Sequence, residues 1–410
     1  MNFPYFIAQR LIKQGGQSDR SKPAVRVAVL GMSIGIVVMI ITIFVAIGFK
    51  KEVKNKIVGF RGDIEITNFE NNNTYEMRPI TVSDSLIGRV KSLHGVVRAD
   101  CFATKPGMIK TDSSFQSVVF KGVDSTYNWS FFEHNLKEGR LPKTGTNEIL
   151  LSNNVVRKLQ LALDTTVFCY FLQSNSIRVR KMQVVGIYST DLEDYDNLFV
   201  IGDLGVVQKL NGWDENQVSG IEIGVDNYDN LNTIADEVYF ATANRLNKDG
   251  EALYTQTIQD LNSQMFAWLE LLDMNVLIII LLMLAVAGFN IISGLIIIIL
   301  DSVTLVGVLK TLGATNWTVR KVFLWQAVYL VLKGMIWGNI VGLLLCVIQY
   351  YTHVIPLDSS AYYVSYVPIY FDWLWWVVLN IGTLLVSFLI LLGPSHIITN
   401  ISPAKVMHYE

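Results

Sequence analysis

The sequence predicts a membrane protein with four transmembrane α-helices and a large α+β extracytoplasmic domain, made of two subdomains, inserted between helices 1 and 2. Four apolar runs are each long enough to cross a bilayer, namely residues 25–49, 274–300, 330–350 and 374–393. Residues 50–273, between the first two runs, have the mixed polarity of a water-soluble domain. The mean hydropathy of +0.38 fits this combination, because it is too high for an ordinary soluble protein.

Residues 1–24 are predicted to form a cytoplasmic amphipathic helix and a connector. The helix would lie on the membrane surface, because four apolar side chains share one of its faces: Phe3, Phe6, Ile7 and Leu11. No small-residue cleavage site follows the apolar run at residues 25–49. We therefore interpret that run as a retained signal anchor and the first span.

The extracytoplasmic domain is predicted to begin and end with stalks, Lys50–Gly59 and Gln256–Asp273. Alternating apolar residues predict strands at residues 63–68, 96–104, 108–111, 115–122, 148–151, 165–172, 178–187, 198–201 and 219–225. Helical spacing predicts helices at residues 83–93, 153–159, 203–210 and 228–242. The region ending at Pro142 is predicted to be rich in turns, and the second subdomain begins at Glu148.

Residues 301–329 are predicted to form a coupling helix at a membrane face and the re-entry into the bilayer. Val303, Val306, Leu309 and Leu312 recur at helical spacing, and Gly313 interrupts the pattern. The pattern indicates a short amphipathic helix, a turn and a second helix. An interfacial loop that only joins two spans is the alternative.

Glycines recur at helical spacing in two of the predicted spans. Gly31 and Gly35 form a GxxxG pair in the first span, and Gly334, Gly338 and Gly342 line one face of the third. Small residues at this spacing let a second helix approach closely. Both sets are therefore predicted to be helix-packing positions.

The C-terminal part of the chain contains an outer loop, the fourth span and a tail. The outer loop covers residues 351–373, and an interfacial tryptophan belt begins the span, with Trp373, Trp375 and Trp376. Pro394 ends this helix, and residues 394–410 are predicted to be a cytoplasmic tail.

Charge distribution predicts the topology. Lys310, Arg320 and Lys321 follow the second span, whereas the loop after the third span has no Lys or Arg. By the positive-inside rule, both termini are predicted to be cytoplasmic and the large domain to lie on the opposite side of the membrane.

Composition excludes several functional classes. The formal net charge is −2, and no basic array is interleaved with aromatics, so a nucleic-acid partner is not expected. No GxxxxGK[ST] phosphate loop occurs, and the five histidines have no paired ligand spacing. We therefore expect no catalytic residue and no metal site.

Two further groups of residues leave alternatives open. Cys101 and Cys169 would form a disulfide in an oxidising compartment, or else be separately buried thiols. The acidic residues between Asp191 and Asp196 lack a calcium-loop pattern. They are interpreted as a solvated loop, with metal binding as the alternative.

The segment LVGVLKTLGATNWTVRKVFL resembles the signature of the FtsX-like/MacB-type ABC transporter permeases. The matching residues, which the resemblance identifies as the ATPase-coupling positions, are Val306, Gly307, Leu309, Lys310, Leu312, Gly313 and Ala314. Leu305 differs, since the family usually has an acidic residue there. Residues 48–66, 138–161 and 403–410 also resemble segments of these permeases, in the same order.

Within this superfamily, the chain is most similar to the lipoprotein-releasing LolC/LolE permeases. The resemblance implies a permease that pairs through spans one and two with a second copy, in a homodimer or heterodimer. A separate cytoplasmic ATPase would bind ATP and Mg and push on the coupling helix, so this chain needs no cofactor. Membrane lipids, lipoprotein cargo and a periplasmic carrier are the other implied partners. The alternatives are a MacB-like exporter of peptides or antibiotics and an FtsX-like scaffold that controls a cell-wall hydrolase.

In LolC, a proline-containing hook occupies the position of a hairpin that is shorter here and has no proline. The resemblance makes this hairpin a candidate contact for the carrier. Its residues are Leu172, Gln173, Ser174, Asn175, Ser176, Arg178 and Arg180.

Overall fold

The computed structural model describes residues 3–13, 21–71, 75–112, 114–173, 176–243 and 252–393. These residues fall into two units. The membrane unit contains the described residues of Met1–Lys50, Trp268–Pro356 and Tyr366–Glu410. The sheet unit contains those of Lys51–Ala267 and Leu357–Ser365.

Two helices open the described chain. Helix α1 is Phe3–Lys13, and α2 is Ser21–Arg61. The predicted first span and the first stalk therefore belong to one continuous helix. It ends before Gly62, whose positive φ of 78° is a backbone conformation that glycine adopts without strain.

The sheet unit is built on strands β1 to β12. In chain order, their bounds are Ile64–Asn68, Ile80–Thr81, Val96–Lys110, Phe115–Val123, Leu136–Gly139, Glu148–Ser152, Thr166–Gln173, Ser176–Tyr188, Phe199–Asp203, Gln217–Val218, Gly220–Val225 and Leu253–Thr257. Helices α3 to α9 are interspersed among them, at Asp84–Lys91, Ser130–Asn135, Asn153–Leu159, Glu193–Asp196, Leu204–Asn211, Leu231–Ala243 and Ile258–Leu261. A short 3-10 helix at Tyr228–Asn230 precedes α8.

One ten-stranded sheet organises this unit, in the order β12-β1-β11-β3-β4-β9-β6-β8-β5, with β7 paired to β3 and β8. Strand β9 runs parallel to β4, and β6 runs parallel to β8, whereas the other pairs in this sheet are antiparallel. Strands β2 and β10 form a separate antiparallel pair. The two predicted subdomains therefore share one sheet.

The predicted break between residues 104 and 108 is wrong, because β3 is continuous. On one side, β3 pairs with β4 without interruption from Phe102 to Lys110. On the other side it pairs with β11 up to Phe102 and with β7 from Met108. Pro106 lies between these two partners, where a strand residue needs no amide donor on that side.

Two predicted boundaries in this domain are also corrected. The turn-rich region before Pro142 contains α4 and β5. The second stalk was predicted to begin at Gln256, but Gln256 and Thr257 belong to β12, which pairs with β1. The pairing partner of β12 is distant in the chain, so local periodicity did not reveal it.

The acidic residues near Asp191 are not simply a solvated loop. Asp196 is buried, and it accepts hydrogen bonds from the backbone N–H of Thr190 at 3.0 Å and from its hydroxyl at 2.7 Å. Lys56 Nζ lies 3.3 Å from Asp191 Oδ2. Asp196 therefore stabilises the loop internally, and Asp191 links it to Lys56 of α2.

Cys101 and Cys169 are separate, buried, free thiols. Cys169 lies opposite Ile109 on β3, eight strand positions from Cys101, which corresponds to about 26 Å. Burial raises the pKa of each thiol to about 12. Both side chains therefore stay protonated and unreactive.

The C-terminal helices complete the chain. Helix α10 is Ser263–Asp301, α11 is Val303–Thr311, α12 is Asn316–Thr352, α13 is Ser359–Tyr362 and α14 is Trp373–Leu392. Four helices are long and apolar enough to cross a membrane, namely Val25–Arg61, Ser263–Asp301, Asn316–Thr352 and Trp373–Leu392. The α+β domain therefore lies between the first and second candidate spans, as the sequence predicts.

The third span was predicted to begin at residue 330, but its helix begins at Asn316. The Thr315 side chain accepts a hydrogen bond from the backbone N–H of Thr318 at 3.3 Å, which caps the helix start. Val319 and Phe323 are buried in the same apolar cluster as Val331. The helix after the predicted turn and the third span are therefore one element.

Candidate coupling segment and helix contacts

Helix α11 packs one face into the membrane unit. Val306, Gly307 and Leu309 are buried, and Val306 and Leu309 join an apolar cluster that includes Val319 and Phe323 of α12. Because Val306 and Leu309 are three residues apart, they lie on the same side of the helix. This contact fixes α11 against the start of α12.

Leu312 lies outside the buried stripe in which the sequence placed it. The backbone N–H of Gly313 donates to Lys310 O at 3.1 Å and that of Ala314 to Leu309 O at 2.9 Å, a Schellman motif. Gly313 has φ of 86°. The helix therefore ends before Leu312, and this side chain does not join the buried face. After the turn, Ala314 packs against the apolar cluster.

Three apolar side chains are exposed near the turn between α11 and α12. The exposed fractions are 51% for Val308, 79% for Leu312 and 53% for Trp317. Lys321 Nζ and Arg320 Cζ each lie 5.3 Å from the centre of the Trp317 ring, a distance at which cations interact with aromatic rings. We call Val308, Leu312 and Trp317 the coupling surface.

The glycines of α12 face α2. A Cβ atom at Gly334 would lie 2.8 Å from Met32 Cβ, and one at Gly338 would lie 2.6 Å from Ile36 Cβ. At Gly342, the nearest atom would be Ile40 Cδ1 at 3.3 Å. The two helix backbones therefore approach along this glycine seam, Gly334, Gly338 and Gly342.

The glycines of α2 face α10 of the same chain. A Cβ atom at Gly31 would overlap the Asn290 side chain, and one at Gly35 would lie 3.6 Å from Ala287 Cβ. The GxxxG pair thus makes contacts within the chain. The close helix approach that the glycine spacing predicts is therefore made by α10.

A polar contact between α12 and α14 was not predicted. Trp376 Nε1 donates to Asn339 Oδ1 at 2.7 Å, and Asn339 Nδ2 donates to Asn380 Oδ1 at 2.7 Å. Trp376, predicted only as part of an interfacial belt, is therefore a hydrogen-bond donor to the third span. Asn339 and Asn380 interrupt apolar runs, which was the signal available in the sequence.

The candidate carrier-contact hairpin joins β7 and β8. Leu172 and Ile177 lie opposite each other on it, and both are exposed. Ser176 and Arg180 are exposed, Gln173 is half-buried, and the half-buried Arg178 donates to Lys209 O at 3.1 Å. Ser174 and Asn175 lie outside the described residues, as does the C-terminal motif at residues 403–410.

A buried charge cluster holds the end of α2 within the sheet unit. Lys121 Nζ lies 2.6 Å from Glu222 Oε1 and also donates to Phe60 O, one residue before α2 ends. The side chains of Lys121 and Glu222 are 3% and 2% exposed. Burial lowers the pKa of Lys121 and raises that of Glu222.

Glu65 and Phe60 extend this cluster. Arg61 Nε lies 3.4 Å from Glu65 Oε2, and the Phe60 ring contacts the rings of Phe131, Phe132 and Tyr195. The sequence signal for this cluster is a single charged residue inside each of three buried strands, Glu65, Lys121 and Glu222. Among the described residues, no group of His, Cys, Asp and Glu could hold a metal ion.

Two protein-family models match the chain. The MacB-like periplasmic core domain matches residues 27–238, and the FtsX-like permease C-terminal model matches residues 277–403. The first alone covers more than half of the chain.

Similar proteins match over nearly the whole length. The lipoprotein-releasing system transmembrane protein LolE of Haemophilus influenzae is 21% identical over 99% of both chains. LolC of Neisseria meningitidis serogroup B is 22% identical over 94% of both chains. Among solved structures, the periplasmic region of MacB from Actinobacillus actinomycetemcomitans matches 49% of this chain and 91% of its own, with 12% identity and a TM-score of 0.34.

Proposed function

Because this chain belongs to the FtsX-like, MacB-type ABC transporter permeases, we propose that it releases lipoproteins from the inner membrane for transfer to a periplasmic carrier. The observation that carries this proposal is the full-length similarity to permeases named for lipoprotein release. The chain is accordingly a multi-pass inner-membrane protein with a periplasmic domain. Lipoprotein cargo and the carrier are its proposed partners, beside a second permease copy.

Depletion of the protein is expected to leave outer-membrane lipoproteins in the inner membrane, because their release would stop. Fractionation of the two membranes after depletion measures this directly. Normal lipoprotein sorting together with altered drug sensitivity would instead indicate a MacB-like exporter. Normal sorting with a co-purifying cell-wall hydrolase would indicate an FtsX-like scaffold.

The coupling surface supports a mechanical role for α11. A separate ATPase that binds ATP and Mg would contact Val308, Leu312 and Trp317, since exposed apolar groups flanked by cations are suited to binding a protein partner. Both termini would then be cytoplasmic, in agreement with the positive charges near α11. In this mechanism the chain itself does no covalent chemistry and needs no cofactor.

Two features support transmission of motion to the periplasmic domain. Helix α11 is packed against the start of α12 through Val306 and Leu309. Helix α2 is unbroken from Ser21 to Arg61, and its end is fixed in the sheet unit by Phe60 and Lys121. Movement of the membrane helices would therefore be carried along α2 to the domain, where the hairpin at Leu172 is a candidate carrier contact.

Gly313→Val is expected to lower lipoprotein release per ATP hydrolysed by about five-fold or more, because a side chain at this positive φ costs roughly 1–2 kcal/mol. Lys310→Glu is expected to act in the same direction by reversing a charge beside the coupling surface. Release and ATP hydrolysis are measured together in proteoliposomes that contain the ATPase. Gly313→Asn is the matched control, since asparagine tolerates this backbone conformation. Normal coupling in both Gly313→Val and Lys310→Glu would contradict the role of this segment.

A further inference from the structure

A cavity of about 650 Å³ lies within the membrane unit, between α2 and α12. Its volume falls in the range of ligand sites in proteins. The polar residues of its lining are Arg26 and Ser33 of α2 and Gln326, Tyr329 and Lys333 of α12. The proposed ATPase contacts and the carrier hairpin have no part in it.

The cavity is polar at one end and apolar at the other. Gly334, Gly338 and Gly342 of α12 meet Met32, Ile36 and Ile40 of α2 in the same order, so the two helices run parallel. Ser33 Oγ donates to Gly334 O at 3.0 Å and fixes this register. Arg26 and Gln326 therefore lie toward the N-terminal ends of both helices, whereas Val37 and Val341 lie about 17 Å and about 22 Å further along.

The polar end carries positive charge. Arg26 and Lys333 line the cavity, and none of its lining residues is acidic. Within the part of the chain that the structure describes, no acidic side chain forms an ion pair with either cation. A basic pocket between transmembrane helices suits an anionic lipid headgroup, and the long stem of Lys333 can extend toward such a headgroup.

Gln326 adds a requirement for a hydrogen-bond donor. It is 6% exposed, and its Oε1 atom has no hydrogen-bond partner. A buried carbonyl oxygen of this kind is costly unless it accepts a bond. An anion that has no hydrogen-bond donor could pair with Arg26 and Lys333, but Gln326 Oε1 would still lack a hydrogen bond.

We propose that the cavity binds one anionic phospholipid with a hydroxyl-bearing headgroup, of the phosphatidylglycerol type. Arg26 and Lys333 contact its phosphate, and a headgroup hydroxyl donates to Gln326 Oε1. One acyl chain lies along the apolar end, against Ile34, Trp337 and Val341. The bound lipid of the surrounding bilayer would contact both α2 and α12.

Binding of phosphatidylglycerol and phosphatidylcholine to the delipidated full-length protein tests this proposal, with native mass spectrometry as the readout. Two cations should favour phosphatidylglycerol by about 25-fold, at about five-fold for each. Arg26→Gln/Lys333→Gln should abolish this preference. Gln326→Leu should weaken phosphatidylglycerol binding by about five-fold without affecting phosphatidylcholine. Lys321→Gln, a cation on α12 outside the cavity, should change neither.

Several outcomes would overturn the proposal: equal affinity of the wild-type protein for the two lipids, or an unchanged preference in the double variant. Displacement of the lipid by inorganic phosphate would identify a site for soluble anions. Displacement by a triacylated peptide, with no dependence on headgroup, would identify a cargo site instead. If the double variant does not fold, the single Arg26→Gln variant should lose about five-fold in preference, and Arg26→Lys/Lys333→Arg should retain it. The measurement needs neither an ATPase nor transport, so it stands independently of lipoprotein release.

Discussion

Replacing Lys121 with methionine is expected to destabilise the sheet unit by about 3–5 kcal/mol. The change leaves the Glu222 carboxylate buried without its partner at 2.6 Å. It also removes the Lys121 ammonium group, which donates a hydrogen bond to the Phe60 carbonyl oxygen near the end of α2. The decrease in the free energy of unfolding is measured by pulse proteolysis of the full-length protein in increasing urea. Cleavage is followed at sites between β4 and β11.

The double variant Lys121→Met/Glu222→Leu is the informative control. Burial acts against the charge of both groups, as the lowered pKa of Lys121 and the raised pKa of Glu222 indicate. Removing both charges should therefore restore most of the stability. Arg78→Met breaks a pair with Glu70 in which both side chains are exposed and should have little effect. Wild-type stability of Lys121→Met would show that the buried pair does not support the unit.

Gly338→Leu is expected to disrupt the contact between α2 and α12 and to destabilise the membrane unit by about 3 kcal/mol or more. The added Cβ atom alone would lie 2.6 Å from Ile36 Cβ and 2.8 Å from Ser33 O. The second of these is a backbone atom, which cannot move aside as a flexible side chain does. The melting temperature in detergent and the recovery of folded protein measure the effect.

Position-matched variants test whether the glycine seam is the cause. Gly382→Leu places the same side chain on α14, where a Cβ atom meets nothing within 4 Å, so little change is expected. Gly342→Ala should be milder than Gly338→Ala, because its nearest neighbour is the flexible end of Ile40 at 3.3 Å. Equal melting temperatures for Gly338→Leu and Gly382→Leu would refute close packing at this seam.

Local patterns predicted much of the fold. The four apolar runs gave the candidate spans, because length and hydropathy are properties of contiguous sequence. Helices such as Asn153–Leu159 follow the predicted bounds, since caps and apolar spacing are also local. The pairing of β12 with β1 and the continuity of β3 through Pro106 depend on strands far away in the chain. No local pattern contains that information.

The same distinction holds for the candidate sites. Helical spacing placed Val306 and Leu309 on one buried face, but Leu312 left that face where Gly313 turns the chain. The glycine seam was visible in the sequence as a repeat, but the sequence did not show that α2 is the helix packed against it. Lys121 and Glu222 are 101 residues apart, so neither could be assigned a partner from sequence alone.

The burial of all three cysteines, Cys101, Cys169 and Cys346, makes the native chain a ready background for chemical mapping. A charged maleimide that cannot cross lipid should not react with these buried thiols. A reporter cysteine introduced at an accessible position would therefore be the single labelled residue. Reporters at Thr311 and at Ser117 would then give opposite labelling in intact cells and inverted vesicles if the two positions face different compartments. The orientation of the chain can be settled in this way without first constructing a cysteine-free protein.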